Sequence, residues 1–214
     1  MTLFYDIATT TMKALLLSFS RWEVKGRENV PLNGPLIVVA NHLNLADPPL
    51  LSASIPRRII FMVKQELYYS KRGGHFVRAF GAFPVHRGRF DREALEQAIK
   101  VLKNGSVLGM FPEGTRSPNA QMQRGEPGVS LIALRSEAPI LPIGISGTER
   151  ITGVKEVVFG HPHITVTIGC PFTLPPLKGK PSRAKLEELT DYIMARIAEL
   201  LPPNYRGVYG QKAN

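Results

Sequence analysis

The chain has 214 residues, 43% of them apolar, and carries 27 lysines and arginines against 17 acidic residues, a formal net charge of +10. That length is most simply one domain with a sizeable core; the lone Cys170 excludes an internal disulfide, falls far short of a zinc cluster, suits a reducing compartment and reads as a packing residue. The cationic excess calls for an anionic partner, whether a phosphorylated substrate, an acidic membrane surface or nucleic acid. The cations are dispersed, with modest groupings at Arg57-Arg58, Lys71-Arg72 and His86-Arg87-Gly88-Arg89, so composition alone does not choose among these partners.

Residues 1–20 are mostly apolar but include Asp6, Lys13 and a string of threonines. A membrane span needs about 20 predominantly apolar residues with few or no charges, and a signal peptide needs a basic start and a small-residue cleavage site, so neither is expected. Leu3, Phe4, Ile7, Met12, Leu15, Leu16 and Phe19 recur at helical spacing. They predict an amphipathic helix lying on a membrane or packed across the domain. Trp22 suits an interfacial anchor or the edge of a core equally well.

Strand and helix signals then alternate. Trp22 to Lys25 is a short strand, and Leu36 to Ala40 is an apolar run bounded by Gly34-Pro35, the mark of a buried strand. Asp47-Pro48 reads as a helix N-cap followed by proline at the first helical position, with the helix running to Ile55 and stopped by Pro56. Ile59 to Val63 is a strand, Gln65 to Ala79 a helix broken at Gly73-Gly74, and Phe83 to His86 a short extended piece. Asp91 caps a helix to Lys103, with Ala94, Leu95, Ala98, Ile99 and Leu102 on one face and Asn104-Gly105 closing it. A strand at Ser106 to Phe111, a helix at Gly128 to Ser136 and strands at Ile140 to Ile145 and Ile164 to Ile168 follow. The last helix, Ser182 to Leu201, carries a core stripe of Leu186, Leu189, Ile193, Ile197 and Leu200 and ends at Pro202-Pro203. The pattern predicts a single α/β domain with a mixed, mainly parallel sheet flanked by helices, in which sites gather at the carboxyl ends of strands.

One such end carries His42 and Asp47, five residues apart. On one continuous helix that spacing would put them roughly 140° apart; strand, tight turn and helix start would instead fold the carboxylate back onto the imidazole. A carboxylate on one ring nitrogen fixes the tautomer and stabilises the imidazolium, leaving the other nitrogen to take a proton from a hydroxyl. The alternative is a helix cap beside a hydrogen-bonded histidine.

Three further stretches could complete a site. Phe111-Pro112-Glu113-Gly114-Thr115-Arg116-Ser117 follows a strand directly and offers a flexible glycine, opposite charges at Glu113 and Arg116, and hydroxyls and backbone donors at Thr115 and Ser117 suited to a phosphate. In Gly81 to Gly88, Arg87 could clamp a phosphate bidentately. Ala138-Pro139-Ile140-Leu141-Pro142 is apolar and rigid, a wall rather than a catalyst.

In order and content these four blocks resemble the glycerolipid acyltransferase family, the group that includes 1-acylglycerol-3-phosphate acyltransferases, over about residues 35 to 148. The resemblance implies His42 as base and Asp47 as its partner. It implies that Arg87 and Glu113, Gly114, Thr115 and Arg116 hold the acceptor's phosphate and shape the site, and that the fourth block helps form the acyl-donor pocket. The implied reaction moves a fatty acyl group from acyl-CoA or an acyl carrier protein thioester to a lysophospholipid hydroxyl, with 1-acylglycerol-3-phosphate as acceptor and phosphatidic acid as product. Glycerol-3-phosphate or another lysolipid is the alternative acceptor. No cofactor or metal is expected, the thioester being a co-substrate. The expected setting is peripheral, on the cytoplasmic face of the cell membrane against an anionic surface, with residues 1–20 as membrane-associating helix and 21–214 as acyltransferase domain. The chain departs from the family at Asn44, where Ser or Thr is common, and at Met122-Gln123 ahead of Arg124-Gly125, where many members have Phe-Lys.

Two other classes compete. A non-enzymatic basic module binding anionic lipid or nucleic acid would explain the charge but not four ordered blocks, and aromatic and basic residues do not interleave as nucleic-acid binding would want. A metal-dependent phosphoesterase is disfavoured because His75, His86, His161 and His163 show no ligand spacing with His42. Without a Gly-x-Ser-x-Gly elbow, an acyl-enzyme is not expected either.

Overall fold

The computed structural model describes every residue except 1, 72, 87, 89, 152–158, 178 and 211–214, and the side chain at position 2. Seven strands form one sheet: β1 (Arg21–Lys25), β2 (Leu36–Ala40), β3 (Ile59–Lys64), β4 (Phe83–Val85), β5 (Val107–Met110), β6 (Ile140–Ser146) and β7 (His163–Ile168). Their spatial order is β1-β7-β6-β2-β5-β3-β4. From β6 to β4 every pairing is parallel, whereas β7 runs antiparallel to β6 and β1 runs parallel to β7. The mixed, mainly parallel sheet expected from the alternation is therefore present, its two reversed strands together at one edge.

β2 sits near the middle, paired on both sides, and Leu36, Ile37, Val38, Val39 and Ala40 have no exposed surface. A strand covered on both faces has no use for polar alternation, which is why its sequence is a continuous apolar run. Each fully buried Leu, Ile or Val contributes about 1.5–3 kcal/mol relative to exposure.

The helices are α1 (Thr2–Phe19), α2 (Asp47–Ser54), α3 (Gln65–Tyr68), α4 (Gly74–Ala79), α5 (Arg92–Lys103), α6 (Gly128–Ser136) and α7 (Arg183–Ala198). α5, α6 and α7 pack in succession, with α5 against β3, β4 and β5 and α7 against β6; α1 packs against α2 and β1. Local chemistry sets the boundaries of α5 and α7: the Asp91 carboxylate accepts the Ala94 N–H and the Ser182 hydroxyl accepts the Lys185 N–H, each satisfying an otherwise orphaned first-turn donor.

Three expectations change. α2 begins at Asp47 with Ala46 at the cap, so Asp47 does not cap its own helix; its carboxylate points back into the preceding loop. The apolar stripe of α1 is split between two faces. Tyr5, Thr9 and Leu16 are buried against the domain, with the Tyr5 hydroxyl accepting the Ile59 N–H, while Leu3, Phe4, Ile7, Leu15 and Leu17 face outward. Thr9 buries with its hydroxyl donating to the Tyr5 carbonyl one turn back, and Tyr5 buries with its hydroxyl on the distant Ile59 N–H, neither of which helical spacing of apolar residues marks. Cys170 is exposed rather than packed, because it lies beyond the last residue of β7.

Beyond α7 the chain turns back. Tyr205 and Tyr209 are buried, the Tyr205 carbonyl accepts the Met122 N–H at 2.9 Å, and the Met122 carbonyl accepts the Val208 N–H at 3.3 Å. This return braces the segment after β5, which leads into the site.

Candidate active site

β2, β5, β3 and β4 run parallel, so their carboxyl ends share one edge of the sheet, and His42, Glu113, Gln65 and His86 follow those ends closely. At the end of β2, His42 Nδ1 lies 2.8 Å from Asp47 Oδ2. The same oxygen accepts the N–H groups of Leu43 and Asn44, each at 2.7 Å, and Oδ1 accepts the Thr148 hydroxyl at 2.7 Å. Two main-chain N–H groups on Oδ2 mark it as a carboxylate acceptor, so Nδ1 carries the proton and donates, and Nε2 is left as the basic nitrogen. Asp47 is fully buried and the His42 side chain is 11% exposed, which shields the pair from water while leaving the ring accessible.

The loop that holds His42 is tied to β6 and to the turn after β5. Asn41 exchanges two hydrogen bonds with the Ile145 backbone, extending the β2–β6 ladder by one side chain. The His42 N–H donates to Glu113 Oε1 at 3.0 Å and its carbonyl accepts the Ser117 N–H at 2.8 Å. The imidazole stacks on Phe111 with ring centres 4.1 Å apart, and Phe111 stacks in turn on Phe61. Asn44, the departure from the family pattern, ties the turn together by accepting the Ala46 N–H and donating to the Ile151 carbonyl.

Glu113 and Gly114, Thr115 and Arg116 divide the work expected of their block. Glu113 is buried, with Oε2 accepting the Gln123 N–H at 2.9 Å, so both of its oxygens are engaged by main-chain N–H groups of the protein. Burial pushes its carboxyl up to about 7 against the opposing pull of the Gln123 and His42 N–H groups, and the negative charge of Asp47 adds to the rise. Gly114 adopts φ +68°, a left-handed conformation that suits glycine at this turn. Thr115 and Arg116 are exposed beside it. Arg87 lies outside the described residues. Met122 and Gln123, the second departure, contribute main-chain bonds to Tyr205, Val208 and Glu113.

A second histidine and aspartate share the five-residue spacing. His86 Nδ1 lies 2.8 Å from Asp91 Oδ2, which also accepts the His86 N–H. Burial opposes ionisation of Asp91, but the N–H groups of Ala94 and His86 and the His86 ring outweigh it and hold the carboxyl at about 2. This pair borders a cavity of about 280 Å³ lined by Gln65, Tyr69, Phe83, Glu93 and Gln97 among others. The His86 side chain is 40% exposed and Asp91 also serves as the cap of α5. Both carboxylates are bonded at each oxygen, and the pairs differ in burial: the His42 and Asp47 side chains are 11% and 0% exposed, those of His86 and Asp91 40% and 10%.

Thr148 and Asn41 contribute to this site without having been singled out for it by sequence, whereas Ser117, expected to offer a phosphate its hydroxyl and backbone donor, gives its N–H to the His42 carbonyl and its hydroxyl to the Gln121 carbonyl. Thr148 is remote in sequence from Asp47 and carried no local signal, whereas Asn41 and Ser117 stand inside the blocks already noted. Among the described residues no cluster of three His, Cys, Asp or Glu could hold a metal ion.

A mixed, mainly parallel sheet thus carries a buried histidine and aspartate at the carboxyl edge of its parallel strands, with a polar, glycine-containing turn beside them. The family model described as Acyltransferase matches residues 21–146. The 1-acyl-sn-glycerol-3-phosphate acyltransferase of Bacillus subtilis (strain 168) is 30% identical over 198 residues, 92% of this chain and 96% of that protein. The enzyme of the same name from Streptococcus pneumoniae is 33% identical over 133 residues, 59% of this chain but only 49% of that protein, so the match spans about half its length. The crystal structure of the 1-acyl-sn-glycerophosphate (LPA) acyltransferase from Thermotoga maritima superposes with a TM-score of 0.70 at 28% identity, covering 92% of this chain and 78% of that one. The chain belongs to the acyltransferase family.

Proposed function

We propose that this acyltransferase moves a fatty acyl group from a thioester, on coenzyme A or acyl carrier protein, to the free hydroxyl of 1-acylglycerol-3-phosphate, giving phosphatidic acid in phospholipid biosynthesis. The observation that carries the reading is the 2.8 Å bond between His42 Nδ1 and the buried Asp47 carboxylate. The likeness to the Bacillus, Streptococcus and Thermotoga proteins, acyltransferases named for this acceptor, supports it.

In the proposed step Nε2 of His42 takes the proton of the acceptor hydroxyl as its oxygen attacks the thioester carbonyl. The tetrahedral intermediate collapses with cleavage of the C–S bond, and the imidazolium returns the proton to the departing sulfur. An ester and a free thiol result. Asp47 stabilises the transient imidazolium, and direct attack calls for neither an acyl-enzyme nor a resident cofactor. Arg87, Thr115 and Arg116 hold the acceptor's phosphate, with Glu113 and Gly114 shaping the turn. The exposure of Thr115 and Arg116 beside the base supports this role.

The same reading sets the enzyme on the cytoplasmic face of the membrane as a peripheral protein, with residues 1–20 as the attaching helix and 21–214 as the catalytic domain. No helix among the described residues is long and apolar enough to cross a membrane. The outward face of α1 offers Leu3, Phe4, Ile7, Leu15 and Leu17, and the formal charge of +10 favours anionic lipid. Incubating the purified chain with a panel of acyl thioesters and phosphorylated acceptors, with products read by mass, tests the assignment. Formation of phosphatidic acid from 1-acylglycerol-3-phosphate is the expected result; a preference for glycerol-3-phosphate or another lysolipid would move the acceptor, and inactivity with every pair would overturn the reading.

A further inference from the structure

We infer that Thr148 is a positioning residue for the base, holding the Asp47 carboxylate through a hydrogen bond so that it presents Oδ2 to the His42 ring. The inference rests on the reading of His42 as general base. It concerns a residue just beyond the segment 21–146 that the family model matches.

The Asp47 carboxylate is fully buried and so must find its hydrogen bonds within the protein. Oδ2 is supplied from its own loop by Leu43, Asn44 and His42. Among the described residues Oδ1 receives a single donor, the Thr148 hydroxyl at 2.7 Å, from a position 101 residues further along the chain. Without it, the outer oxygen would be a buried acceptor with no partner among the described residues, and the carboxyl group could rotate to share the loop donors between both oxygens.

Thr148 is built to stay where it is. It has no exposed surface and follows Gly147, whose φ of +92° and close approach to the His163 carbonyl leave no room for a Cβ, which would come within 1.9 Å of that oxygen. The next residue, Glu149, accepts the Gly147 N–H at 3.0 Å and the Tyr205 hydroxyl at 2.7 Å. β7 on one side and the returning C-terminal segment on the other thus clamp the turn that aims the hydroxyl.

A donor on Oδ1 also sets how much negative charge the imidazolium meets. The titratable groups around the carboxylate are the His42 ring from the loop after β2, Glu113 from the turn after β5, and Glu149 on the turn of Thr148 itself. Removing the hydroxyl leaves Asp47 more dependent on the imidazolium proton, so the acid limb of the rate profile moves to higher pH.

The test compares Thr148→Ser, Thr148→Ala and Thr148→Val in the full chain, with oleoyl-coenzyme A or its acyl carrier protein counterpart as donor and 1-oleoylglycerol-3-phosphate as acceptor. Thr148→Val is expected to lower kcat roughly 3- to 10-fold near neutral pH, the rate equivalent of one net hydrogen bond. Both KM values should stay within about twofold, and the acid limb of kcat/KM should rise by about half a unit to one unit. Thr148→Ser, which keeps the donor, is expected to restore the rate and the profile, with Thr148→Ala lying between. Equal kcat and equal acid limbs in Ser and Ala would overturn the inference, and that comparison decides it if the valine variant does not fold. The reading of the base fails separately: an active His42→Ala would overturn the base itself, whereas an inactive His42→Ala beside an unaffected Thr148→Ala overturns only the role of Thr148.

Discussion

Glu113 meets His42 through the peptide N–H and not through the ring: Oε1 accepts the His42 amide at 3.0 Å while the imidazole is bonded to Asp47 at 2.8 Å. A carboxyl group in the second motif therefore sets the backbone of the first, and its protonation state belongs to the stability of the loop. Because burial raises Glu113 from 4.5 to about 7, the unfolded chain releases this proton at lower pH than the folded one. The stabilising contribution of the group is full below 4.5 and is lost as pH rises to about 7. Urea denaturation of wild type and Glu113→Gln across this range should show their difference in unfolding free energy falling with pH; a constant difference would mean that Glu113 is ionised throughout.

Asp91 should behave with the opposite sign. It is lowered from 3.8 to about 2, so its contribution is present above 3.8 and is lost as pH falls towards 2. Asp91→Ala should cost about 1 kcal/mol at neutral pH through the lost cap of α5 alone, and the gap from wild type should close in acid. Thermal melts at neutral and acid pH measure this directly.

His42→Ala should lower kcat by about 10²- to 10⁴-fold, the usual contribution of a positioned general base, in a protein that still melts cooperatively. Asp47→Asn should also be severe, for a reason the loop makes specific. The N–H groups of Leu43 and Asn44 demand an acceptor at the position of Oδ2, so the amide oxygen takes that place and the tautomer of His42 survives. What is lost is the charge that stabilises the imidazolium, and the acid limb of kcat/KM should move to lower pH. A retained wild-type profile would remove Asp47 from the mechanism.

Arg116→Ala and Arg87→Ala should raise KM for the phosphorylated acceptor more than for the thioester, since the proposed function assigns both cations to the acceptor's phosphate. Initial-rate kinetics with each substrate varied in turn separate the two effects. Acceptor KM unchanged in both variants would displace the phosphate site from these arginines.

The outward face of α1 can be tested without removing the helix. Deleting residues 1–20 would take away Tyr5, which accepts the Ile59 N–H and packs against Phe80, and so would disturb the domain as well as any attachment. Leu3→Gln with Ile7→Gln changes two residues that are 72% and 57% exposed, and should leave the melting temperature within a few degrees while weakening flotation with anionic vesicles. Wild-type flotation should itself decline with added salt. Undiminished binding by the double variant would place the attachment elsewhere.

Much of this molecule is legible in the chain because local chemistry and final environment agree. Leu36 to Ala40 reads as a buried strand and is one, the α5 cap is where Asp91 predicts it, and Gly128 to Ser136 is helical over the span its pattern marks. The His42 and Asp47 pair was accessible because strand end, turn and helix start lie within a few residues. What sequence does not yield are contacts closed by tertiary return. Thr148 reaches Asp47 only because β6 lies next to β2, and Tyr205 supports the turn after β5 only because the chain doubles back beyond α7. The inward face of α1 was not legible for a related cause: Tyr5 is buried where its hydroxyl accepts the Ile59 N–H, a partner 54 residues away.

The placement of β1 against β7 has a bearing on how the protein is made. The first strand of the chain finds its partner only when His163 to Ile168 has been synthesised, and β6 must already be in the sheet to receive β7. α1 precedes β1 in the chain and is therefore synthesised before any strand of the sheet. The non-local pairing that closes this edge of the sheet therefore comes late, after α1 and the strands between β1 and β7 have been made, and is the slow kind of contact to form.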